Sequence, residues 1–135
     1  MATAVKDLKG ISDDIVDALK RLEIADNEQF VAAAASPAQR KALAAACGCD
    51  TKALLQLANR ADLARVKGVS GVYGDLLEQA GVDTVKELAT RRPENLHAKL
   101  IETNDSAKLT ERPPTAAQVE DWVAQAKELP KTLTY

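Results

Sequence analysis

The sequence predicts an all-α protein built from two related halves. Three observations carry that expectation. Alanine and leucine dominate the 135 residues and aromatics make up only 3%, so strand formers are scarce and helix formers plentiful. The apolar pattern of residues 5–30 returns 58 residues further on. Helix-start signatures, a small polar cap with glutamine or glutamate three residues later, punctuate the chain.

The repeat is clearest when Gly10 is set on Gly68. Leu8 then matches Val66, Lys9 matches Lys67, Ile11 matches Val69 and Ser12 matches Ser70. Asp17 falls on Asp75, Leu19 on Leu77, Ile24 on Val82 and Phe30 on Leu88. Agreement of the apolar positions and of the glycine turn over such a stretch is the mark of a duplication. The expected division is a first copy at 1–62, a second at 63–129 and a tail at 130–135.

Taken in order, residues 3–9 read as a short helix with Val5 and Leu8 inward. Gly10 and Ile11 turn the chain. Ser12 starts a helix with Ile15, Val16, Leu19 and Leu22 on one face. Asp26 opens the next, with Gln29 in capping-box register, and Thr84 and Glu87 hold the matching places in the second copy. Ser36, Pro37 and Gln39 combine a cap, a first-turn proline and a capping-box partner for a helix to about Ala46. Asp50 or Thr51 caps a helix carrying Leu54, Leu55, Leu57 and Ala58. Asn59 reads as the start of another short one with Leu63 and Val66. In the second copy a glycine stop at Gly81 precedes Thr84, and Pro93 begins a helix to about Asn104. Residues 105–114, DSAKLTERPP, form the one long polar loop. Thr115 and Gln118 are a further capping box, opening a helix with Val119, Trp122, Val123 and Ala126. Pro130 ends it, and a frayed end is expected beyond. Each copy thus reads as five helices.

A chain of this length buries about two-thirds of its unfolded surface, enough for a real core. Net charge is −2. Residues 1–62 carry 8 basic and 9 acidic groups, and residues 63–135 carry 10 and 11. Neither half is basic enough to be a nucleic-acid face by composition alone. No apolar run reaches the length of a signal peptide or a bilayer span, so a cytoplasmic location is expected, with no membrane partner. Cys47 and Cys49 are separated by Gly48 alone; a disulfide there is strained, and His97, the one histidine, leaves a four-ligand zinc site short. The cysteines read as a packed helix end that Gly48 stops.

The stretch Leu63 to Gly74 places Leu63 and Val66 as a leading apolar pair. Gly68 sits at the turn, Val69 points inward, and Gly74 is small where two helices approach. Val5, Leu8, Gly10, Ile11 and Val16 hold those places upstream. This pattern resembles the helix-hairpin-helix motif. The run of blocks ADLARVKGV, LLEQAGVDTVKELATRRPENL and the tryptophan helix resembles, over nearly the whole chain, a bacterial family known as a domain of unknown function. The resemblance implies tandem degenerate helix-hairpin-helix repeats, expected here to pack as one pseudo-twofold domain, and no established activity.

In DNA-binding proteins with this motif the turn reads glycine, apolar, glycine, and backbone N–H groups at the second helix hold a phosphate. Here Ser12 and Ser70 replace the second glycine. Asp13 and Asp14 occupy the first copy's helix start. Each would oppose a unit negative charge at about 4 Å by roughly 4 kcal/mol at an effective dielectric near 20. A helix end contributes only about 0.3–1 kcal/mol in its favour. The second copy has neutral Gly71 and Val72 there, with Arg65 and Lys67 near. Arg91 and Arg92, with Lys86 and Lys99, form the best basic cluster. Candidate phosphate or partner contacts are therefore Arg65, Lys67, Gly68, Ser70, Gly71, Arg91 and Arg92.

Trp122 shares its face with Val119, Val123 and Ala126 and reads as core rather than as an interface hot spot. His97 lies between Leu96 and Leu100 without a catalytic partner in sight. Asp13, Asp14 and Asp17 lack calcium-loop spacing, and no phosphate loop, dinucleotide fingerprint or nucleophile elbow occurs. The expected function is a non-catalytic adaptor without cofactor or metal that binds an unidentified protein. The alternative is weak, sequence-independent nucleic-acid binding through the Gly68 turn.

Overall fold

The computed structural model describes residues 3–69 and 71–135. Among them are eight α-helices, one 3-10 turn and no strand beyond a single antiparallel bridge between Ala4 and Asp26. The chain divides into two compact units, Met1–Arg65 with Lys131–Tyr135, and Val66–Pro130.

The first unit starts with an extended segment. Val5 N–H donates to Ala25 O at 3.0 Å and Asn27 N–H to Thr3 O at 2.8 Å. That pairing keeps residues 3 and 4 extended, so the expected helix over 3–9 shrinks to a 3-10 turn at Val5–Asp7. Helix α1 spans Asp13–Arg21. Ser12 caps it by accepting from Ile15 N–H, and Asp13 and Asp14 lie at its positive end, Lys20 and Arg21 at its negative end. Ile15, Ala18 and Leu19 are buried. Leu22, expected on that face, is instead 47% exposed. The chain reverses at Glu23 (φ 63), and Ile24 takes the inward place, its N–H donating to Leu19 O at 2.9 Å.

Helix α2, Asn27–Ala33, is capped by Asp26, whose carboxylate accepts from Gln29 N–H. The Gln29 side chain reaches one residue further back, accepting from Ala25 N–H. Helix α3, Pro37–Cys47, has the complete Ser36–Gln39 capping box and ends at Gly48, in the left-handed region. Helix α4 runs from Thr51 to Leu63. It does not break at Asn59. Its neighbours Leu57, Ala58 and Ala61 are buried, and continuous packing of that face outweighs the few tenths of a kcal/mol that an interior asparagine costs. Leu63 therefore closes α4, and Val66 lies in the turn beyond it rather than on a helix. Helix α4 is the spine of the unit: α2 and α3 pack on it, and α1 packs on α3. Leu19, Phe30 and Leu54 are among the largest fully enclosed side chains of this unit.

The second unit has the same plan. Helices α5 (Val72–Gln79), α6 (Val85–Ala89), α7 (Pro93–Ala107) and α8 (Ala116–Glu128) come in that order. Here α6 and α7 pack on α8, and α5 packs on α7. Backbone bonds recur 58 residues apart. Ile11 N–H to Leu8 O (3.3 Å) becomes Val69 N–H to Val66 O (3.1 Å), and Ile24 to Leu19 (2.9 Å) becomes Val82 to Leu77 (2.8 Å). The positive φ of Gly10 and Glu23 (84 and 63) returns at Gly68 and Gly81 (93 and 94). Each unit therefore holds four α-helices rather than five. The segment before its glycine turn is a 3-10 turn in one case and a plain turn in the other.

Helix α7 continues three residues past Asn104 because that side chain organises the loop beyond the helix. Its Oδ1 accepts from the N–H groups of Leu109 and Thr110, and its Nδ2 donates to Thr110 O. The polar loop is thus held in place from the helix. The last five residues, expected to fray, belong to the first unit: Leu133 is buried in its core and Thr134 N–H donates to Ala35 O at 2.7 Å.

Trp122 is 2% exposed among Val119, Val123 and Ala126. Trp122→Ala should cost about 3–5 kcal/mol in denaturant melts. A loss below about 1 kcal/mol would return the residue to the surface.

Candidate interaction site around the Gly68 turn

The turn is built from below by two buried valines, Val66 and Val69, and from above by α8. At Gly68 a Cβ would stand 3.0 Å from Trp122 Nε1. That is a tight contact, which the indole must yield to for any other residue to fit, and φ of 93 is a conformation side chains resist. Tyr73 packs against the indole, ring centroids 5.4 Å apart and planes tilted by 53°, and its hydroxyl donates to Arg112 O at 2.8 Å. One turn along α8, Gln125 clamps the main chain: its Oε1 accepts from Lys67 N–H at 2.8 Å and its Nε2 donates to Lys67 O at 3.1 Å. A further bond from Nε2 to Asp121 Oδ2 (2.7 Å) holds the amide in that orientation.

The turn of the first unit differs. Nothing lies within 4 Å of a Cβ built on Gly10. Asp13 and Asp14 are exposed beside it, and Ser12 already accepts the Ile15 N–H. One turn is open and flanked by carboxylates; the other carries the exposed Lys67 and is backed by an indole.

The predicted site residues separate into groups. Arg65, in the first unit, has its guanidinium against Asp62 at 2.9 Å, both side chains under a tenth exposed, so it faces a carboxylate within its own unit. Lys67 has an exposed side chain and a clamped backbone. Gly71 is the N-cap of α5 with φ 55. Ser70 lies outside the described residues. Arg91 sits past the other end of α5, where its Nη2 donates to Glu87 Oε1 at 2.8 Å and to Gly81 O at 3.3 Å. Arg92 is the exposed N-cap of α7 and offers no side-chain cap. Eight residues of α5, about 12 Å of helix, part the Gly68 turn from Gly81 and Arg91, so these do not form one patch.

The surroundings of Arg91 are acidic as well as basic. Burial pushes the Asp83 carboxyl above its ordinary value, with the Glu87 and Glu78 carboxylates adding to the rise. His97 bonds through Nε2 to Pro114 O at 3.1 Å, which ties α7 to the polar loop. Burial raises both thiols, with Cys49 adding to the rise at Cys47 and Asp50 to that at Cys49; a raised thiol is a poor nucleophile at neutral pH. Among the described residues, no three histidines, cysteines or carboxylates gather to hold a metal ion.

Sequence reasoning missed Gln125 and Arg40. Gln125 looks like any exposed helix glutamine, and only folding reveals that it faces Lys67. Arg40 left a faint trace. Pro37 and Pro93 start corresponding helices, and three residues on from each stand Arg40 and Leu96. A charge where the other unit has a leucine was a readable anomaly.

Two four-helix units, each with a glycine turn and a long closing helix, define a purely helical module. The chain belongs to a family described as a domain of unknown function (DUF4332), whose model matches residues 9–129. No curated protein and no solved structure matches the chain.

The two glycines should respond differently to alanine. Gly10→Ala pays only for its left-handed backbone, about 1–2 kcal/mol. Gly68→Ala meets the indole as well, and overpacking adds about 1–3 kcal/mol. Urea melts of both variants, with Gly68→Ala repeated in a Trp122→Phe background, measure the difference. Equal losses at both glycines would show that Trp122 does not press on the turn.

Proposed function

We propose that the chain is a non-catalytic adaptor that binds a protein partner, built on tandem, degenerate helix-hairpin-helix copies. The recurrence of the turn, its backbone bonds and the packing order of the helices supports the duplication. The observation that carries the protein-binding reading is that two of the arginines a phosphate would need already face carboxylates: Arg65 is buried against Asp62, and Arg91 pairs with Glu87 at the surface. An arginine already paired with a carboxylate gives up that pair before it can release counterions from a nucleic acid. Trp122 and Gln125 over the Gly68 turn further argue that the turn joins helices. His97 bonded to a carbonyl and thiols raised by burial favour a role without catalysis.

The second reading is nucleic-acid binding at the Gly68 turn, where Lys67 is an exposed cation. Salt separates the two. Binding through several phosphates falls by orders of magnitude between about 50 and 200 mM salt. Capture of a partner from native lysate should survive that change and survive nuclease treatment. Loss of the partner on either, together with a duplex-DNA gel shift at low salt, would replace the adaptor by the nucleic-acid reading. No helix among the described residues is long and apolar enough to cross a membrane.

A further inference from the structure

Arg40 is the most unusual side chain of the first unit. It is 5% exposed, yet no carboxylate pairs with it among the described residues. Its Nη1 donates to Ala34 O (2.9 Å) and Ala35 O (3.2 Å), where α2 hands over to α3. Its Nη2 donates to Thr134 O at 2.6 Å, the shortest of the three. Burying an uncompensated guanidinium is costly, and the corresponding place in the second unit is filled by Leu96, 2% exposed. Packing alone therefore does not require a cation here. What Arg40 adds is a charged donor aimed at the main chain of a short extended segment.

That segment, residues 131–135, is held like a bound peptide. Thr134 N–H and Oγ1 both donate to Ala35 O, at 2.7 and 3.1 Å. Leu133 enters the core. Tyr135 remains 61% exposed, with its ring 5.4 Å from the Arg40 guanidinium carbon and its hydroxyl donating to Asn59 Oδ1 at 3.0 Å. Main-chain bonds supply general affinity and one pocket supplies selectivity, as in peptide recognition by extended segments. The segment is not part of any helix. Detaching it gives up one buried side chain, whereas detaching any helix of the unit gives up several.

We propose that the Arg40 cleft is a peptide-recognition site occupied in cis by the chain's own strap, and that its partner is an extended protein segment with an apolar residue two positions before a tyrosine. The proposal rests on the adaptor reading and names the chemistry of its partner. The leucine-like side chain takes the Leu133 pocket, a carbonyl of the incoming main chain accepts from Arg40, and the tyrosine ring covers the guanidinium. The strap sets the affinity: while it is closed, only the open fraction of molecules binds.

The test uses a fluorescein-labelled Lys-Thr-Leu-Thr-Tyr peptide, titrated by anisotropy against the full chain. Leu133→Asp releases the strap and leaves the pocket to the peptide. A strap closed nine-tenths of the time implies about tenfold tighter binding on release. Adding Arg40→Leu, which gives the first unit the leucine that the second has at Leu96, should abolish that gain, and a peptide with aspartate in place of its leucine should not bind. A folded Leu133→Asp chain that binds no better than the native one overturns the proposal, as does a gain that Arg40→Leu leaves intact. If Leu133→Asp does not fold, hydrogen exchange on the native chain decides. The Thr134 amide exchanging faster than those of Leu19 and Leu54 supports a strap that opens alone; exchange at their rate overturns it. Peptide binding without any captured protein would refute the adaptor and keep the cleft. Partner capture unchanged by Arg40→Leu would keep the adaptor and refute the cleft.

Discussion

At Gly10 and again at Gly68 the backbone passes through φ of 84 and 93, and thirteen residues later it does so again, at Glu23 and Gly81. Between each pair lies one short helix, α1 or α5. Helices of eight or nine residues do not persist alone in water. Here each is fixed by the reversals at its ends. The first lets Ile11 or Val69 turn back onto the preceding stretch of chain, and the second brings Ile24 or Val82 home to the helix it has just left. Everything downstream inherits this geometry. Asp26 and Thr84 can cap α2 and α6 only because the reversal before them has set the chain's direction. Glu23 shows how strongly the path is required. A residue with a side chain accepts a conformation that costs about 1–2 kcal/mol where its counterpart is a glycine.

The two units keep this frame and vary its contents. Asp50 and Thr115 cap the closing helices α4 and α8, so Leu57 and Trp122 stand seven residues after their caps in matching places, both buried. The larger indole reaches the glycine turn of its unit, while a Cβ on Gly10 would meet nothing. At the start of α2, buried Asn27 accepts from Thr3 N–H and donates to Ala61 O, joining the opening segment, α2 and α4 through one amide. Val85 holds that position on α6. Each unit thus has its own means of fastening the segment before the glycine turn: an asparagine amide in the first, an indole and a glutamine in the second.

What was legible in the sequence was local. Ser12, Ser36 and Thr115 cap the helices expected of them, and of Asp50 and Thr51 it is Asp50 that caps α4, because a cap is decided within four residues. The burial of Trp122 followed from helical spacing. The failures are tertiary. Leu22 has the right period but stands where the chain leaves the helix. Asn59 has the composition of a break, yet neighbours packed on α2 and α3 carry the helix through it. Lys131–Tyr135 look like an end, and only the folded first unit supplies the Arg40 and Ala35 groups that receive them. Of the candidate site residues, sequence identified the cations but not their carboxylates: Asp62 and Glu87 stand three and four residues before Arg65 and Arg91, a spacing that pairs side chains on a helix, but α4 and α6 end at Leu63 and Ala89, before either arginine.

The Gln125 clamp governs how this surface can change. Its amide grips the N–H and C=O of residue 67, groups that every amino acid except proline presents alike. The clamp therefore reads no side chain. Lysine at that position is a passenger, and mutation can replace it with an acid, an aromatic or an alkyl group while the turn keeps its shape. An exposed side chain on a clamped main chain is a surface on which new specificities can arise by drift, without first destabilising the scaffold that displays it.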